Sequence, residues 1–216
     1  MPTFTAPDGA HLSYTDVGTG PPVLLLHGWS LDGSMWEYQV SALVEAGFRC
    51  VTPDRRGHGR SEVVGSGYDI DTLADDVAAL LDHLGGGAVH VLGMVGMGAC
   101  IGQELAICRP DLVASLFMTG SWAWADPALT DQLTMLRRVH QELGFAAFQM
   151  LCASLSFAPA FYGRHRDRLL GPDGAWGDLA GHADAHARLV EACLGHDTRD
   201  RLAAGPVPAL VPPAGR

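Results

Sequence analysis

The chain has 216 residues, a formal net charge of −10 and a hydrophobic fraction of 48%. This length and composition suit one globular domain with a substantial buried core, and they exclude a disordered chain. An acidic surface repels phosphate backbones, so we expect no nucleic-acid partner.

The sequence shows no pattern of a targeting or membrane segment. Residues 1–5 lack the basic start and apolar stretch of a signal peptide. No apolar run approaches the roughly 20 residues that span a bilayer, so we expect a cytoplasmic protein without a membrane partner. The five cysteines are scattered and form no CxxC pair, which predicts free thiols and neither disulfides nor a zinc site. Nothing in the sequence indicates another metal or a cofactor.

The first half of the chain alternates strand and helix patterns. Strand patterns cover residues 11–17, 22–27, 48–53, 89–92 and 112–119. Helical patterns cover about 34–46 and 69–84, and a third helix follows a glycine turn and ends near Cys108. Strands and helices that alternate with short connections predict a mostly parallel sheet with helices on both faces.

The second half is helical in pattern, from about residue 127 to residue 200. We predict a core over 1–126, a helical cap over 127–204, and a return strand with the tail of the core over 205–216. The tail carries no further strand pattern, so we expect a truncated C-terminus and an open sheet edge. An open edge needs a cover, which favours a homodimer.

Ligands of parallel sheets bind beyond the carboxyl ends of the strands. This rule brings the segments 27–29, 93–98 and 120–124 around one crevice. Their aromatic and neighbouring residues are our predicted substrate-binding positions: Gly28, Trp29, Met94, Val95, Ser121, Trp122 and Trp124. The expected ligand is a small molecule or a peptide.

Four segments resemble motifs of the α/β-hydrolase family, in the family's order and spacing. His27-Gly28-Trp29 resembles the oxyanion-hole motif, and residues 54–61 resemble the D-x-R-G-x-G-x-S loop. Residues 68–81 resemble the helix after that loop, and residues 91–98 resemble the nucleophile elbow. The resemblance covers about residues 10–211 and implies an α/β-hydrolase fold with a helical cap.

The family's nucleophilic serine is missing from this elbow. The resemblance places Val95 at the serine position, and valine has neither a lone pair for attack nor a proton to give a base. A register shift by one residue brings in only Met94 or Gly96, which cannot attack either. Met97 stands where the family has glycine, and Gly98 follows it.

The acid and the histidine of the triad are missing as well. No carboxylate and no histidine follows the strand that ends near Val211. The resemblance still implies two backbone donors for a carbonyl oxygen, the N–H groups of Trp29 and Gly96, which do not depend on residue 95. His27 is expected to support this loop structurally.

These features predict a non-hydrolytic enzyme that holds a carbonyl in the crevice. Proton abstraction next to that carbonyl gives epimerisation, with a base that the substrate itself can supply. The chain resembles the nucleophile-less α/β-hydrolase-fold group that includes the peptide aspartate epimerase of bottromycin biosynthesis, which implies peptide epimerisation in natural-product maturation. The alternatives are a non-catalytic binding protein for a hydrophobic small molecule or peptide, a degenerate ester or lactone hydrolase, and a functionless gene product.

One further pair of residues has metal-ligand spacing. His182 and His186 lie four residues apart on a predicted helix, which suits zinc if a third ligand is near. The sequence around them offers no obvious third ligand, so we expect a solvated helix in the cap.

Overall fold

A mixed sheet forms the centre of the protein in this computed structural model, which describes residues 1–29, 31–94, 96–172, 174–180, 182–203 and 205–212. Its strands are β1 (Thr3–Thr5), β2 (His11–Val17), β3 (Pro22–Leu26), β4 (Arg49–Pro53), β5 (Val89–Met94), β6 (Val113–Thr119) and β7 (Ala209–Leu210). They lie in the order β1-β2-β4-β3-β5-β6-β7. The pairs β1–β2 and β2–β4 are antiparallel, and the remaining pairs are parallel. The predicted mostly parallel sheet is confirmed.

The apolar run of β3 lies at the middle of this sheet. Leu24, Leu25 and Leu26 are each at most 1% exposed, since β4 and β5 flank the strand and helices cover both faces. A strand buried on both faces needs no polar alternation, which is why the sequence shows a continuous apolar segment there.

Three helices pack on the sheet: α1 (Glu37–Glu45), α2 (Ile70–His83) and α3 (Met97–Cys108). A 3-10 turn over Gly33–Trp36 precedes α1. Asp69 caps α2 by accepting a hydrogen bond from the Thr72 N–H at 2.8 Å. In α3 every residue from Met97 to Ala106 is buried, which accounts for its apolar composition on all sides.

The cap consists of α4 (Pro127–Arg138), α5 (Phe145–Ser156), α6 (Pro159–Leu169), α7 (Ala183–Gly195) and α8 (Arg199–Leu202). Asp126 begins α4 as its N-cap, because its carboxylate accepts from the Leu129 N–H at 2.8 Å. A π-helical turn over Val139–Leu143 and the left-handed Gly144 (φ 84°) separate α4 from α5. The described part of the chain between residues 127 and 203 contains helices and connecting turns and no named strand.

Two details differ from the sequence expectations. The sequence analysis missed β1, which has three residues and pairs with β2 along Thr3–Thr5. The return strand expected within residues 205–216 is short, since only Ala209 and Leu210 pair with β6. Over the described residues, none of the helices has the length and apolarity to cross a membrane.

Candidate functional site

A cavity of about 550 Å³ lies between the carboxyl edge of the sheet and the cap. The lining comprises Trp29, Leu31, Met35, Met94, Gly96, Gly120, Trp122, Leu129, Gln132, Leu133, Leu136, Cys152, Leu155, Ser156, Phe157, Ala175 and Trp176. No carboxylate, histidine or arginine belongs to this described lining. Burial raises the pKa of the Cys152 thiol to about 12, which makes it a poor nucleophile. We call this cavity the crevice.

Of the predicted substrate-binding residues, the structure places Trp29, Met94 and Trp122 in the lining of the crevice, together with Gly96. Trp124 is outside the lining: it is 40% exposed, and the Arg199 guanidinium lies 4.4 Å above its ring. Gly28 and Ser121 are also outside the lining, although each is next to a lining residue. Val95 lies outside the described residues.

Gly96 occupies the strained position of the strand-to-helix turn. Its backbone has φ 68° and ψ −96°, and it directly precedes the first residue of α3. A positive φ is easily adopted by glycine and costs other residues energy. The sequence analysis gave this position to Val95, so the structure moves the elbow one residue along the chain.

The glycines around Gly96 follow the shifted register. A Cβ added to Gly98 would lie 2.6 Å from the His27 carbonyl oxygen, which is closer than a real Cβ approaches backbone. Gly98 is therefore the glycine that lets α3 pass close to the end of β3. This explains why Met97 is tolerated at a position where the family resemblance predicted glycine.

Trp122 covers the elbow. A Cβ added to Gly96 would lie 2.6 Å from Cζ3 of the Trp122 indole. The indole thus occupies the space that a side chain at the elbow would need. In this structure the nucleophile's place is filled by an aromatic ring from the neighbouring loop.

Hydrogen bonds hold the Trp122 loop in this position. Gln103 of α3 donates from Nε2 to the Trp122 carbonyl oxygen at 3.0 Å. The Thr198 hydroxyl donates to Gln103 Oε1 at 2.7 Å, and the Thr198 N–H donates to the Ala123 carbonyl oxygen at 2.8 Å. Gln103 and Thr198 are both buried, so these bonds are shielded from water.

The structure tests one of the two backbone N–H groups that were predicted to bind a carbonyl oxygen. The Gly96 N–H donates to the Gly120 carbonyl oxygen at 2.8 Å, so it does not point freely into the crevice. This corrects the role expected for Gly96. The family's donor is the N–H of the residue that follows the elbow residue, and with Gly96 at the elbow that residue is Met97. The first N–H groups of a helix have no acceptor within the helix, so Met97 and its neighbours in α3 offer donors instead. The role of the Trp29 N–H stays a prediction.

The loop beneath the crevice rests on His27 and Arg55. His27 Nε2 accepts from the Arg55 N–H at 3.1 Å, and Arg55 Nη2 donates to the Gly28 carbonyl oxygen at 2.8 Å. Burial, and next the Arg55 charge, hold the pKa of His27 well below its usual value. A neutral, hydrogen-bonded imidazole that is 0% exposed supports the loop and has no route to a ligand.

Three further titratable residues, Asp126, His196 and His186, have structural partners. Asp126 caps α4, and His196 Nε2 lies 3.1 Å from Gln103 Oε1. His186 is fully buried, which contradicts the expected solvated helix, and its Nδ1 lies 2.9 Å from Nδ1 of His140. Within the described ranges, no group of three or more His, Cys, Asp or Glu residues could hold a metal ion.

Comparison with known proteins gives a consistent result. A family model described as the alpha/beta hydrolase fold matches residues 21–190. The chain is 50% identical over 84 residues to a non-heme chloroperoxidase from Kitasatospora aureofaciens and 46% identical over 99 residues to a non-heme haloperoxidase from Rhodococcus erythropolis. These alignments cover 39% and 45% of this chain, and they span only 30% and 36% of the relatives' own length.

A solved structure of a hydrolase from Pseudomonas aeruginosa superposes with a TM-score of 0.81 at 27% identity. That match covers 97% of this chain and 78% of the other.

Proposed function

Since this chain belongs to the alpha/beta hydrolase fold family, we propose that it uses the family's crevice to bind an uncharged, mainly apolar small molecule without hydrolysing it. Gly96 carries this proposal. It supplies no nucleophile at the elbow, and the Trp122 ring fills the space above it.

The chemistry of the lining supports this ligand class. Leucine, tryptophan, phenylalanine and methionine side chains form most of the wall, and Gln132 and Ser156 are its polar members. Burying a charged ligand there would leave its charge without a partner, which is costly. A cavity of about 550 Å³ lies within the ordinary size range of small-molecule sites.

The first test is binding of the neutral dye Nile red, combined with a hydrolysis assay on p-nitrophenyl butyrate. We expect saturable binding with one dye per chain, displacement by the ester, and ester hydrolysis at the rate of buffer alone. Leu129→Glu places a charge in the crevice wall and should weaken dye binding at least ten-fold. Leu143→Glu is the matched control, because Leu143 is 70% exposed on the cap and lies outside the crevice lining.

Two results would overturn the proposal. Turnover well above buffer would instead support the hydrolase activity that the name of the similar Pseudomonas aeruginosa structure suggests. Equal dye binding by the two glutamate variants would place the dye outside the crevice.

Epimerisation next to a carbonyl is the second candidate. The missing nucleophile and the N–H groups at the start of α3 favour it, whereas the described lining offers neither a base nor a cation for an aspartyl group. The base would have to come from the substrate. We expect deuterium uptake from heavy water into an aspartate-containing peptide if this candidate is correct. A mass spectrum without exchange, under conditions where the peptide binds, would exclude it for that peptide.

A further inference from the structure

Three buried histidines lie near the boundary between the cap and the core. His140 and His186 are in contact, and His58 is close enough to His186 for their charges to interact. His58 comes from the loop after β4, His140 from the π-helical turn after α4, and His186 from α7. They are 2%, 3% and 0% exposed. We call these three residues the histidine cluster.

The cluster is packed among aromatic rings. The ring of His186 lies 4.7 Å from the ring of Trp29 in the core and 4.6 Å from the ring of Phe148 in α5. His140 stacks on Phe148 at 4.8 Å. The contact between His186 and Trp29 therefore joins the cap to a residue that lines the crevice.

Neutral imidazoles suit this arrangement. Nδ1 of His140 lies 2.9 Å from Nδ1 of His186, so one ring donates and the other accepts. Nε2 of His186 and Nε2 of His58 are buried without a hydrogen-bond partner. A proton added to either of these atoms would create a buried charge that no hydrogen bond satisfies.

The surrounding charges oppose protonation more than they favour it. On the core side the Arg55 guanidinium opposes protonation of His58, and Asp32 gives a smaller opposite effect. The ring of His27 lies 5.4 Å from the ring of His58, and a charge on either imidazole opposes a charge on the other. On the cap side Arg137 of α4 acts on His186. Glu191 of α7 is engaged in an ion pair with Arg137.

We propose that the histidine cluster is an acid-operated latch, which keeps the cap closed over the core near neutral pH and releases it when the imidazoles take up protons. The inference does not rest on the proposed function, because it concerns the cap with or without a ligand.

The direction of the pH effect follows from proton linkage. Burial lowers the pKa of His58 and of His186 to about 3, and it also lowers the pKa of His140. In an open cap these side chains reach water, and their pKa returns to about 6.5. The open form then binds more protons below pH 6.5, so acid favours opening. Release of His58 and release of His186 each raise the open population about 25-fold between pH 7 and pH 5, and release of His140 acts in the same direction.

The chain's own cysteines report cap opening separately from global unfolding. Cys152 in α5 and Cys193 in α7 are buried in the cap, whereas Cys50 in β4 and Cys100 in α3 are buried in the core. Labelling with 4,4′-dithiodipyridine, followed by peptide mass spectrometry, measures each rate relative to free glutathione in the same tube. We expect the relative rates of Cys152 and Cys193 to rise at least 25-fold from pH 7 to pH 5, while Cys50 stays protected. Cys100 interacts with Cys193 and Arg55 at the boundary between cap and core, so Cys50 alone is the core reference.

A matched pair of variants identifies the cause. His186→Phe keeps an aromatic ring between Trp29 and Phe148 and removes one titrating group, so the rise of the two cap cysteines between pH 7 and pH 5 should be about 25-fold smaller than in the wild-type chain. His182→Gln changes an exposed histidine of the same segment and should leave the pH dependence of the labelling of Cys152 and Cys193 unchanged. Flat rates in the wild-type chain, or a rise of Cys50 equal to that of the two cap cysteines, overturn the latch. These labelling rates of the wild-type chain test the proposal even if His186→Phe does not fold.

Discussion

At the scale of single residues, Gly96 and Trp122 decide the chemistry of the crevice. Gly96 combines a positive φ with a space that Trp122 already fills, and these are two separate reasons against any side chain there. A serine at this position would carry both costs. The absent nucleophile is thus matched by a surrounding structure in which the Trp122 ring would have to move to admit a side chain.

This leads to a prediction about Gly96→Ser. We expect it to lower the free energy of unfolding by about 1–3 kcal/mol more than Gly86→Ser does. Gly86 is the matched control, since it has φ 69° and no atom within 4 Å of an added Cβ. Trp122→Gly in the Gly96→Ser background should recover part of the loss, and a double-mutant cycle by urea unfolding measures the coupling. Additive effects would show that the two positions do not interact.

At the scale of elements, the position of α3 depends on contacts that its own sequence does not contain. Gly98 lets the helix approach β3, and Gln103 connects it to the Trp122 loop and to Thr198 before α8. One buried amide therefore joins the core helix, a loop at the sheet edge and the end of the cap. Its removal leaves the partners without hydrogen bonds in a place that water does not reach.

We therefore expect Gln103→Met to reduce the free energy of unfolding by about 1–3 kcal/mol and to loosen the Trp122 loop. Urea unfolding measures the first effect, and a red shift of the tryptophan emission reports the second. Gln141→Met is the control, because Gln141 is exposed in the π-helical turn. A loss no larger than in the control would mean that Gln103 merely fills space.

At the scale of the whole molecule, the described part of the sheet ends at β7, which pairs with β6. β7 has two residues, and Leu210 and the following Val211 are 62% and 53% exposed. Self-association of the chain along this edge stays a prediction, as does its cytoplasmic location. The histidine cluster, in contrast to this exposed strand, lies at the boundary between the cap and the core, where all three imidazoles are buried.

The sequence by itself determined the alternation of strands and helices and the loss of the serine nucleophile. Buried residues repeat every two positions in a half-buried strand and about every 3.6 positions in a helix, and a strand buried on both faces, such as β3, is continuously apolar. These patterns can be recognised in the sequence alone, which is why it predicts the elements. The missing serine needs no coordinates, since no residue from Met94 to Gly96 can attack a carbonyl.

Only the tertiary structure decided which residue stands at the elbow, what covers it, and that His186 is buried against His140 and Trp29. The sequence analysis assigned the elbow to Val95 and expected a solvated His186, because neither answer is a local property. Gly96 adopts the positive φ of the turn because α3 packs closely on β3. The partners of His186, His140 and Trp29, lie 46 and 157 residues away in the chain. Contacts between distant segments set both outcomes, and no periodicity records such contacts.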